Sequence, residues 1–477
     1  GGLLLCRDRF GEKPLYVHQD GTGLYFASEI KVLAALTGRT FAPDMTQLKR
    51  YLVNGYKSLY KQPGTFFEGV RELESGTCLL VDGDGEARTR PYWTPGPHAM
   101  DEAMPYAEAV AGARERLIRS VELRLRADVP LAFCMSGGVD SNALIAIARR
   151  ELGYDVHGFT IVSQDERYAE WPLVERAVAN LGIRHTAIPV STEDFLPRLR
   201  ALVRAHDAPV CTITYYAHWL LIRSIAEQGY KVSVSGTAAD ELFSGYYDHH
   251  AMYLAAVHGT PRFDSALAEW TTHIKPIVRN PLLQDPLAFV RNPDQREHIY
   301  LDAERFASYL AGGFREPFHE SALHPELLRN RMLNELFHEA VPVILHEDDM
   351  NAMSCSVENR SPFLDRELFE FLATVPTRHL IRDGYNKAIL RDAMAGIVPQ
   401  AILAERRKVG FNAPIFDFLD RRDPEVRAEV LRESPVFDLV RREAVEGLLD
   451  RDALPNSDSK FLFYYLTTKL FLEEFAS

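Results

Sequence analysis

Residues 131–141 read LAFCMSGGVDS, an apolar run that ends in a loop with almost no side chains. Gly137 and Gly138 let the backbone approach an anion closely, because neither residue carries a Cβ. A helix that begins near Asp140 would direct its free N–H groups and the positive end of its dipole at that anion. The stretch therefore predicts a buried strand, a phosphate-binding loop and a helix, in that order.

The charge behind the two glycines indicates a metal ion. The Asp140 carboxylate would repel a bare phosphate, so we expect a divalent cation, Mg²⁺, between them. Ser136 and Ser141 can add hydroxyl donors to the same anion. A glycine-rich turn with a capping Asp or Ser is the alternative, and the complete SGGVDS pattern makes it the minor one. The loop lacks the lysine of GxxxxGK[ST], which disfavours a kinase or GTPase.

Composition excludes several classes of protein. The chain has 477 residues, which suggests about two to four domains. Hydrophobic residues make up 46% and charged residues 25%, as in ordinary soluble globular proteins. The net charge of −13 disfavours a nucleic-acid partner, and no stretch approaches the roughly 20 apolar residues of a membrane span. We therefore expect small-molecule ligands, with no nucleic acid and no membrane.

The cysteines are few and scattered. The five are Cys6, Cys78, Cys134, Cys211 and Cys355. Their number is odd and no CxxC pair occurs, which argues against a disulfide framework or a zinc site. The pattern favours a reducing compartment, and we expect a cytoplasmic protein.

The composition changes near residue 100. Residues 1–95 look β-rich, with short apolar runs between Gly and Asp turns. The chain starts Gly-Gly and continues as a strand, without methionine, so we expect it to be cut from a longer protein. The segment 94–105 has three prolines and no apolar periodicity, and it predicts a domain boundary.

Strands and helices alternate after that boundary. The predicted strands are 131–134, 156–162, 186–190 and 231–235. The predicted helices are 106–126, 142–150, 173–181 and 216–228. This alternation predicts an α/β fold in which helices cover both faces of a parallel sheet. From about residue 300 the pattern is mainly helical, and residues 346–365 predict a helix followed by a turn at Pro362.

A second acidic site follows another strand. Residues 231–235 end in SGTAADELFSGY, and Asp240 lies in this stretch. Because the carboxyl ends of parallel strands form one edge, we expect Asp240 to face Asp140 across the phosphates of one ligand. Two carboxylates there could hold Mg²⁺. A helix N-terminus enriched in acids is the alternative, but it does not explain why a glycine-containing turn follows a strand twice.

Several motifs together resemble one family. SGGVDS resembles the PP-loop of the ATP pyrophosphatases, which cut ATP between the α- and β-phosphates and adenylate a substrate. RDRFGEKPLY, FASEIKVL, VSGTAADELFSGY, MSCSVENRSPFLD, GYNKAILRDA and RRKVGFNAP follow the order seen in glutamine-dependent asparagine synthetases. The resemblance covers essentially the whole chain. It implies the C-terminal part of a class II, Ntn-type glutaminase domain in residues 1–95 and an ATP-dependent amide-forming domain in residues 101–477.

The resemblance also implies site residues. Lys387, Glu358 and Asp349 would be catalytic, and Asp140 and Asp240 would be metal ligands. The implied nucleotide-binding residues are Ser136, Gly137, Gly138, Asp140, Ser141, Thr160, Ser235, Gly236 and Lys408. Lys387 would stabilise negative charge on the α-phosphate and on the later tetrahedral intermediate. Without the resemblance it would be interpreted as a surface lysine on an amphipathic helix.

Other residues near these motifs have structural alternatives. Arg360 and Asp365 could form an internal ion pair, and residues 347–349, Glu-Asp-Asp, could be a solvated acidic face. Arg391, one turn after Lys387, would share its face. Arg407 and Lys408 could close over pyrophosphate or neutralise an acidic neighbour.

One position departs from the family pattern. The usual text is SGEGSDE, whereas this chain reads SGTAADE. Thr237 therefore replaces a glutamate that is thought to act near the substrate or as a base during amide formation. Because threonine cannot be a carboxylate base, either another acid takes over or the acceptor is not aspartate.

These features lead to one main functional hypothesis. Glutamine would supply ammonia, MgATP would adenylate aspartate, and ammonia would displace AMP to give asparagine. The alternative is the same chemistry on another carboxylate, such as a sugar uronate or a small molecule that closes a ring, and Thr237 favours it. A non-catalytic binding or assembly protein is the least favoured hypothesis, because Asp140, Asp240 and Lys387 are all present. The sequence leaves a homodimer open.

Overall fold

The computed structural model describes residues 2–96, 98–162, 170–190, 192–300, 302–407 and 414–476. Within these residues the strands form three sheets, two with three strands and one with five. The two small sheets come from the first 91 residues, and the five-stranded sheet comes from residues 131–360.

Two antiparallel sheets and two helices form the first part of the chain. The elements are β1 (Leu3–Cys6), β2 (Tyr16–Asp20), β3 (Gly23–Ala27), α1 (Ile30–Thr37), α2 (Met45–Asn54), β4 (Val70–Glu72), β5 (Thr77–Val81) and β6 (Ala87–Pro91). Strand β5 lies between β1 and β6, and β2 lies between β3 and β4. The prediction of a β-rich N-terminal part is confirmed.

The first sheet holds a disulfide. Cys6 on β1 lies directly opposite Cys78 on β5, and the two cysteines form a disulfide across 72 residues of sequence. The sequence argued against a disulfide framework, and it did not predict this single bridge. Counting and spacing could not reveal the pair, because only the antiparallel register makes the two residues neighbours. Cys134, Cys211 and Cys355 are free.

A five-stranded parallel sheet forms the centre of the second part. Its strands are β7 (Leu131–Cys134), β8 (His157–Val162), β9 (Arg184–Pro189), β10 (Val232–Val234) and β11 (Glu358–Arg360), in the order β11-β10-β7-β8-β9. From β7 the chain builds outward to β8 and β9, and then returns to place β10 on the other side of β7. The carboxyl ends of β7 and β10 therefore border a crevice of the kind in which α/β sheets bind ligands.

Helices make up most of the remaining structure. Up to residue 256 they are α3 (Tyr106–Arg124), α4 (Val139–Ala146), α5 (Trp171–Leu181), α6 (Phe195–His206), α7 (Ile213–Glu227), α8 (Ala239–Phe243) and α9 (Tyr247–Ala256). The later ones are α10 (Phe263–Glu269), α11 (Ala288–Arg291), α12 (Ala303–Tyr309), α13 (Leu327–Asn334), α14 (Val341–Ser354), α15 (Arg366–Thr374), α16 (Ala388–Ala393), α17 (Gln400–Leu403), α18 (Pro424–Leu431), α19 (Arg442–Leu449) and α20 (Asn456–Phe475).

The parallel sheet is covered on both faces. Leu131 and Phe133 of β7 belong to a core that also contains residues of α3, α4 and α5. Ala132, between them, belongs to a second core with residues of α7 and α14. Successive side chains of a strand point to opposite faces, so these two cores lie on the two sides of the sheet. The predicted fold, a parallel sheet with helices on both faces, is confirmed.

The prediction for residues 346–365 is wrong in its middle section. Helix α14 ends at Ser354, and residues 358–360 form strand β11, which pairs parallel with β10. Ser356 has a φ of 54°, a left-handed conformation that stops the helix. The Ser233 hydroxyl then donates to Asn359 Oδ1 at 2.9 Å inside the sheet. Three residues of mixed polarity gave no strand signal in the sequence.

The two parts of the chain share a hydrophobic core. Tyr51 on α2 donates its hydroxyl hydrogen bond to the carbonyl oxygen of Val210 at 2.8 Å. Its ring centroid lies 4.7 Å from that of Tyr464 on α20. Helix α20 thus packs against both parts of the protein. None of the helices in the described residues is long and apolar enough to cross a membrane.

Candidate active site at the carboxyl edge of the parallel sheet

The loop after β7 is closed by side chains of the helix that follows it. The Ser136 N–H donates to Ser141 Oγ at 3.1 Å, and the Asn142 side-chain amide donates to the carbonyl oxygens of Ser136 at 2.9 Å and Gly138 at 2.7 Å. The Gly138 N–H donates to Ser136 Oγ at 3.2 Å. The predicted strand, loop and helix are therefore present, and the loop is already shaped by contacts within itself.

The carboxylate of Glu170 lies against this loop. The Gly137 N–H donates to Glu170 Oε2 at 3.2 Å. Burial raises the pKa of Glu170 to about 7, with Asp140 adding to the rise and the Gly137 hydrogen bond opposing it. A Cβ at Gly137 would lie only 3.1 Å from the Cβ of Glu170. No motif marked Glu170 in the sequence, so sequence reasoning missed it.

Three predicted charged residues meet at one point. The Lys387 ammonium donates to both carboxylate oxygens of Asp140, at 2.8 and 2.7 Å, and lies 2.8 Å from Asp240 Oδ1. Asp140 is in the first turn of α4, Asp240 is in the first turn of α8, and Lys387 directly precedes α16. Burial alone would lower the pKa of Lys387, but Asp140 and Asp240 outweigh it and raise that pKa.

Lys387 is held in an uncommon backbone conformation. Its φ is 53°, in the left-handed region that few residues other than glycine adopt. The Asn386 side chain donates to the carbonyl oxygen of Gly245 at 2.7 Å and anchors the segment. A Cβ at Gly245 would overlap both Asp240 Oδ1 and Lys387 Cε. The chain therefore packs its backbone directly against this charged group, and the strain is concentrated where the charges meet.

A cavity of about 260 Å³ opens beside these charges. Its wall includes the loop after β7, both aspartates, Lys387, and Arg391, Arg406 and Arg407. Arg391 donates from Nε to the carbonyl oxygen of Asn386 at 2.9 Å, and burial lowers its pKa. Arg407 pairs with Glu405 at 3.2 Å, in line with the alternative in which it neutralises an acidic neighbour. Lys408 lies outside the described residues.

Two of the predicted nucleotide-binding residues make structural contacts. Thr160 donates its hydroxyl hydrogen bond to the carbonyl oxygen of Met135 at 2.9 Å, which joins β8 to the start of the loop. A Cβ at Gly236 would lie 3.1 Å from the Asp140 Cβ and 3.2 Å from the Ser141 backbone nitrogen, so this glycine packs tightly on the loop.

The structure does not bring Glu358 and Asp349 to the aspartate pair. Glu358 is the first residue of β11, opposite Val232 at the amino edge of the sheet, and its side chain is 47% exposed. It pairs with Arg360 at 2.8 Å. Asp349 is buried in α14 and accepts a hydrogen bond from the Lys13 ammonium at 2.7 Å.

Two structural alternatives from the sequence are wrong. Asp365 does not pair with Arg360. It caps α15 by accepting from the Leu368 N–H at 3.0 Å. Residues 347–349 are not a solvated face, since all three side chains are buried. A run of acidic residues lies on a solvated surface when a different face of its helix packs against the core. Helix α14 is instead buried on nearly all of its faces.

A polar chain extends from the end of β10 into the interior. Ser235 Oγ lies 3.1 Å from Thr237 Oγ1, and Thr237 donates to Asp348 Oδ2 at 3.2 Å. His218 Nδ1 lies 3.2 Å from the other Asp348 oxygen. The sequence marked Thr237 as a departure from the family pattern but did not predict its contact with Asp348.

Comparison with known proteins gives the same picture. Residues 112–473 match the family model described as asparagine synthase, and residues 1–93 match the glutamine amidotransferase domain. Asparagine synthetase (glutamine-hydrolyzing) 1 of Bacillus subtilis (strain 168) is 25% identical over 95% of this chain and 72% of its own length. Asparagine synthetase (glutamine-hydrolyzing) 3 of the same organism is 26% identical over 85% of this chain and 64% of its own length. Amidase chyE of Penicillium rubens is 30% identical over 51% of this chain and 38% of its own length.

A glycine-rich loop at the switch point of a parallel sheet and two aspartates around one lysine ammonium accompany these family matches. The matches define an ATP-using carbon–nitrogen ligase with a glutamine amidotransferase segment. The chain belongs to the asparagine synthase family, whose model covers most of its length. The resemblance seen in the sequence motifs is thus confirmed.

Proposed function

We propose that this chain adenylates aspartate with MgATP and converts the adenylate to asparagine with ammonia from glutamine. The observation that carries the proposal is the Lys387 ammonium between the Asp140 and Asp240 carboxylates, beside the phosphate-binding loop. The helices that follow two neighbouring strands supply the two aspartates, and a later segment supplies the lysine. These are the groups that binding and cleaving a triphosphate requires.

The two aspartates suit a magnesium ion. Their carboxylate oxygens converge on one cationic nitrogen at 2.7–2.8 Å, so the site already accommodates positive charge between them. Oxygen donors of this kind are the ligands that Mg²⁺ takes in proteins, usually one or two carboxylates together with phosphate oxygens. When bound, the ion would neutralise charge on the departing pyrophosphate.

The chain's own groups account for the adenylation step. The N–H groups of the first turn of α4 would orient phosphate oxygens. The substrate carboxylate attacks the α-phosphorus, and the bond to pyrophosphate breaks. Lys387 stays protonated, because the aspartates raise its pKa, and it offers a fixed positive charge to the oxygens that gain charge in this step.

The packing of the two parts supports a shared reaction. Arg124 on α3 donates to Glu12 at 2.6 Å, and Lys13 reaches Asp349 on α14 at 2.7 Å. These contacts tie the segment that matches the glutamine amidotransferase domain to the part that holds the ATP site. Ammonia that moves within the protein stays unprotonated and close to the acyl carbon, which favours attack.

A different carboxylate acceptor is the second candidate. Thr237 stands where the family pattern has a glutamate, and it lies beside Ser235, one of the predicted nucleotide-binding residues. A changed residue at this place favours a changed substrate. A sugar uronate or another small-molecule carboxylate would be activated by the same loop and the same lysine.

The test is a product assay on the purified protein. Incubation with ATP, MgCl₂, ammonium chloride and aspartate should give AMP, pyrophosphate and asparagine in equal amounts. A panel of other carboxylic acids, scored by pyrophosphate release, separates the two candidates. Asparagine from aspartate supports the first, and pyrophosphate only with another acid supports the second. Absence of pyrophosphate with every acid would end both.

A further inference from the structure

Two histidines and a glutamate converge where α6 packs against α14. His206 is the last residue of α6, and His346 and Glu347 are neighbours on α14. One nitrogen of each imidazole and one oxygen of the carboxylate lie within 4.8 Å of one another. The side chains of His206 and Glu347 are fully buried, and His346 is half-buried. None of the three lines the cavity beside the aspartate pair, so the cluster is separate from the ATP site.

Hydrogen bonds around Asn351 determine which nitrogen of His206 carries the hydrogen. The Asn351 side-chain nitrogen donates to the carbonyl oxygen of Tyr215 at 3.0 Å, so Asn351 Oδ1 faces His206 Nε2, at 2.9 Å. Because an amide oxygen only accepts, Nε2 is the protonated nitrogen and Nδ1 carries a lone pair. Histidines that bind metals have this arrangement, in which the second nitrogen donates to an oxygen.

The lone pair of His206 faces a carboxylate oxygen. Nδ1 lies 3.5 Å from Glu347 Oε2, and neither atom has a hydrogen-bond partner among the residues that the structure describes. The other oxygen of Glu347 accepts from the Cys211 N–H at 2.9 Å. A shared proton would draw oxygen and nitrogen to about 3 Å or less. Two ligands at about 2.0–2.1 Å from a tetrahedral zinc ion lie about 3.4 Å apart, so the observed separation fits a cation better.

The charges of the cluster also suit a divalent cation. Burial is the main reason why the pKa of His206 falls to about 3 and that of His346 to about 4, so both imidazoles are neutral near pH 7. In the part of the chain that the structure describes, no Lys or Arg forms an ion pair with Glu347. The raised pKa of Glu347 belongs to the metal-free protein, because a bound cation keeps that carboxylate ionised.

A second cluster of similar composition has a different source of positive charge. Asp248, His249 and Glu335 also bring three ligand atoms within 4.8 Å of one another. Arg331 donates to Glu335 at 3.1 Å and lies 3.8 Å from Asp248, so a guanidinium already compensates these acids. A metal ion there would be repelled by the arginine. The comparison singles out the cluster at His206 as the one that lacks a built-in cation.

We propose that His206, His346 and Glu347 bind one Zn²⁺ ion, with a water molecule in the fourth position. Two imidazoles and a carboxylate around a tetrahedral ion are an established zinc ligand set. The half-buried side of His346 gives the ion a route from solvent. The ring of His346 lies 6.3 Å from that of Tyr60, so the ion would brace α6 and α14 where they meet the first part of the chain. The cysteine pattern argued against a thiolate zinc site, and this site uses no thiolate.

The test measures zinc directly and does not depend on the proposed function. The full chain is freed of metal with a chelator, loaded with ZnCl₂ in excess MgCl₂ and desalted, and its zinc content is measured by elemental analysis. The wild-type protein should retain one zinc ion per chain, and ZnCl₂ should raise its melting temperature. Co²⁺ in place of zinc should give the visible absorption of a tetrahedral nitrogen–oxygen site, without the near-ultraviolet band of a thiolate ligand.

Variants assign the ion to its ligands through competition with a chromogenic chelator. His206→Gln and Glu347→Gln should each weaken zinc binding by more than about 100-fold, because each removes a ligand. Asn351→Leu removes only the positioning residue behind His206 and should weaken binding by roughly 10- to 100-fold. His258→Gln, at an exposed histidine, is the control and should bind zinc like the wild-type protein. Asp140→Asn should also keep its zinc, which separates this site from the aspartate pair.

Several outcomes would overturn the proposal. A wild-type protein that retains no zinc refutes it, and so does equal zinc affinity in His206→Gln and His258→Gln. A thiolate band in the Co²⁺-loaded protein would assign the ion to a cysteine instead. If His206→Gln does not fold, Asn351→Leu still decides, since it changes no ligand. A protein that binds zinc as expected but releases no pyrophosphate with any acid refutes the proposed function and supports this site.

Discussion

Two groups of acidic residues in this molecule have opposite surroundings. The pair Asp140 and Asp240 meets at the edge of a cavity, where both carboxylates contact one ammonium ion. The triplet at 347–349 is buried in α14, and each of its carboxylates has a different partner. Glu347 accepts from the Cys211 N–H at 2.9 Å, Asp348 accepts from Thr237, and Asp349 pairs with Lys13.

The difference shows that neighbours, more than residue type, set the charge of an acid. At the pair, a buried lysine compensates the two carboxylates and keeps its own proton. In the triplet, burial is the largest influence and raises the pKa of all three acids, that of Glu347 to about 8. The pair is therefore suited to hold cations and phosphates, and the triplet to hold protons.

The largest expected effect comes from removing one charge of the pair. Asp140→Asn should lower adenylation, measured by pyrophosphate exchange, by at least about 100-fold, since a lost metal ligand removes charge stabilisation from the reaction. The fold should survive, because the asparagine keeps the size of the side chain. Asp452→Asn, on an exposed residue whose side chain is 98% accessible, is the control and should leave exchange unchanged. Normal exchange in Asp140→Asn would contradict the role of the pair.

The second-largest effect is expected from removing Lys387, whose ammonium group contacts both aspartates. Lys387→Ala should reduce adenylation by roughly 100- to 1,000-fold, and it leaves two carboxylates close together, which costs about 3–5 kcal/mol when a buried pair is broken. Added MgCl₂ should therefore raise the melting temperature of the variant more than that of the wild-type protein. Equal shifts would mean that the two aspartates do not share a cation site.

The buried acids at 347–349 should make the stability of the metal-free protein depend on pH. The pKa of Glu347 is about 8 in the folded protein and ordinary in the unfolded chain. At a pH between the unfolded and the folded pKa, the unfolded chain has lost a proton that the folded protein keeps. The free energy of unfolding therefore falls as pH rises, by up to about 1.4 kcal/mol per pH unit. Glu347→Gln should lose this slope. Thermal unfolding of both proteins at pH 5, 6, 7 and 8 measures it, and parallel curves would contradict the assignment.

The smallest effect is expected from substituting Lys13, which contacts Asp349 of the triplet. Lys13 is 47% exposed and contacts Asp349, which lies away from the aspartate pair, so losing this ion pair should leave the ATP site intact. Lys13→Ala should leave pyrophosphate exchange unchanged, in contrast to Lys387→Ala. A large loss of exchange would indicate that the contact between the two parts of the chain controls the ATP site.

The features that follow strands were the ones the sequence could predict. Asp140 and Asp240 each come after an apolar run, and the rule that parallel strands end at one edge places them together. Lys387 required the family resemblance, because nothing local distinguishes it from a surface lysine. Its left-handed backbone conformation depends on Gly245 and Asn386, which lie far apart in the sequence.

The features that depend on packing could not be predicted. Glu170 reaches Gly137 only because α5 begins beside the loop. Cys6 and Cys78 meet through strand register, and the burial of residues 347–349 depends on which elements surround α14. Each of these contacts is set by tertiary structure, which local composition does not encode.

The order of the site residues along the chain has a consequence for biosynthesis. Asp140 and Asp240 leave the ribosome well before Lys387, so a nascent chain can complete strands β7 to β10 while the two carboxylates still lack their ammonium partner. Like charges held close together repel each other, and the edge of the sheet should remain open until α16 arrives. Completion of this site therefore belongs to the late stages of folding, among contacts of high sequence separation that form slowly.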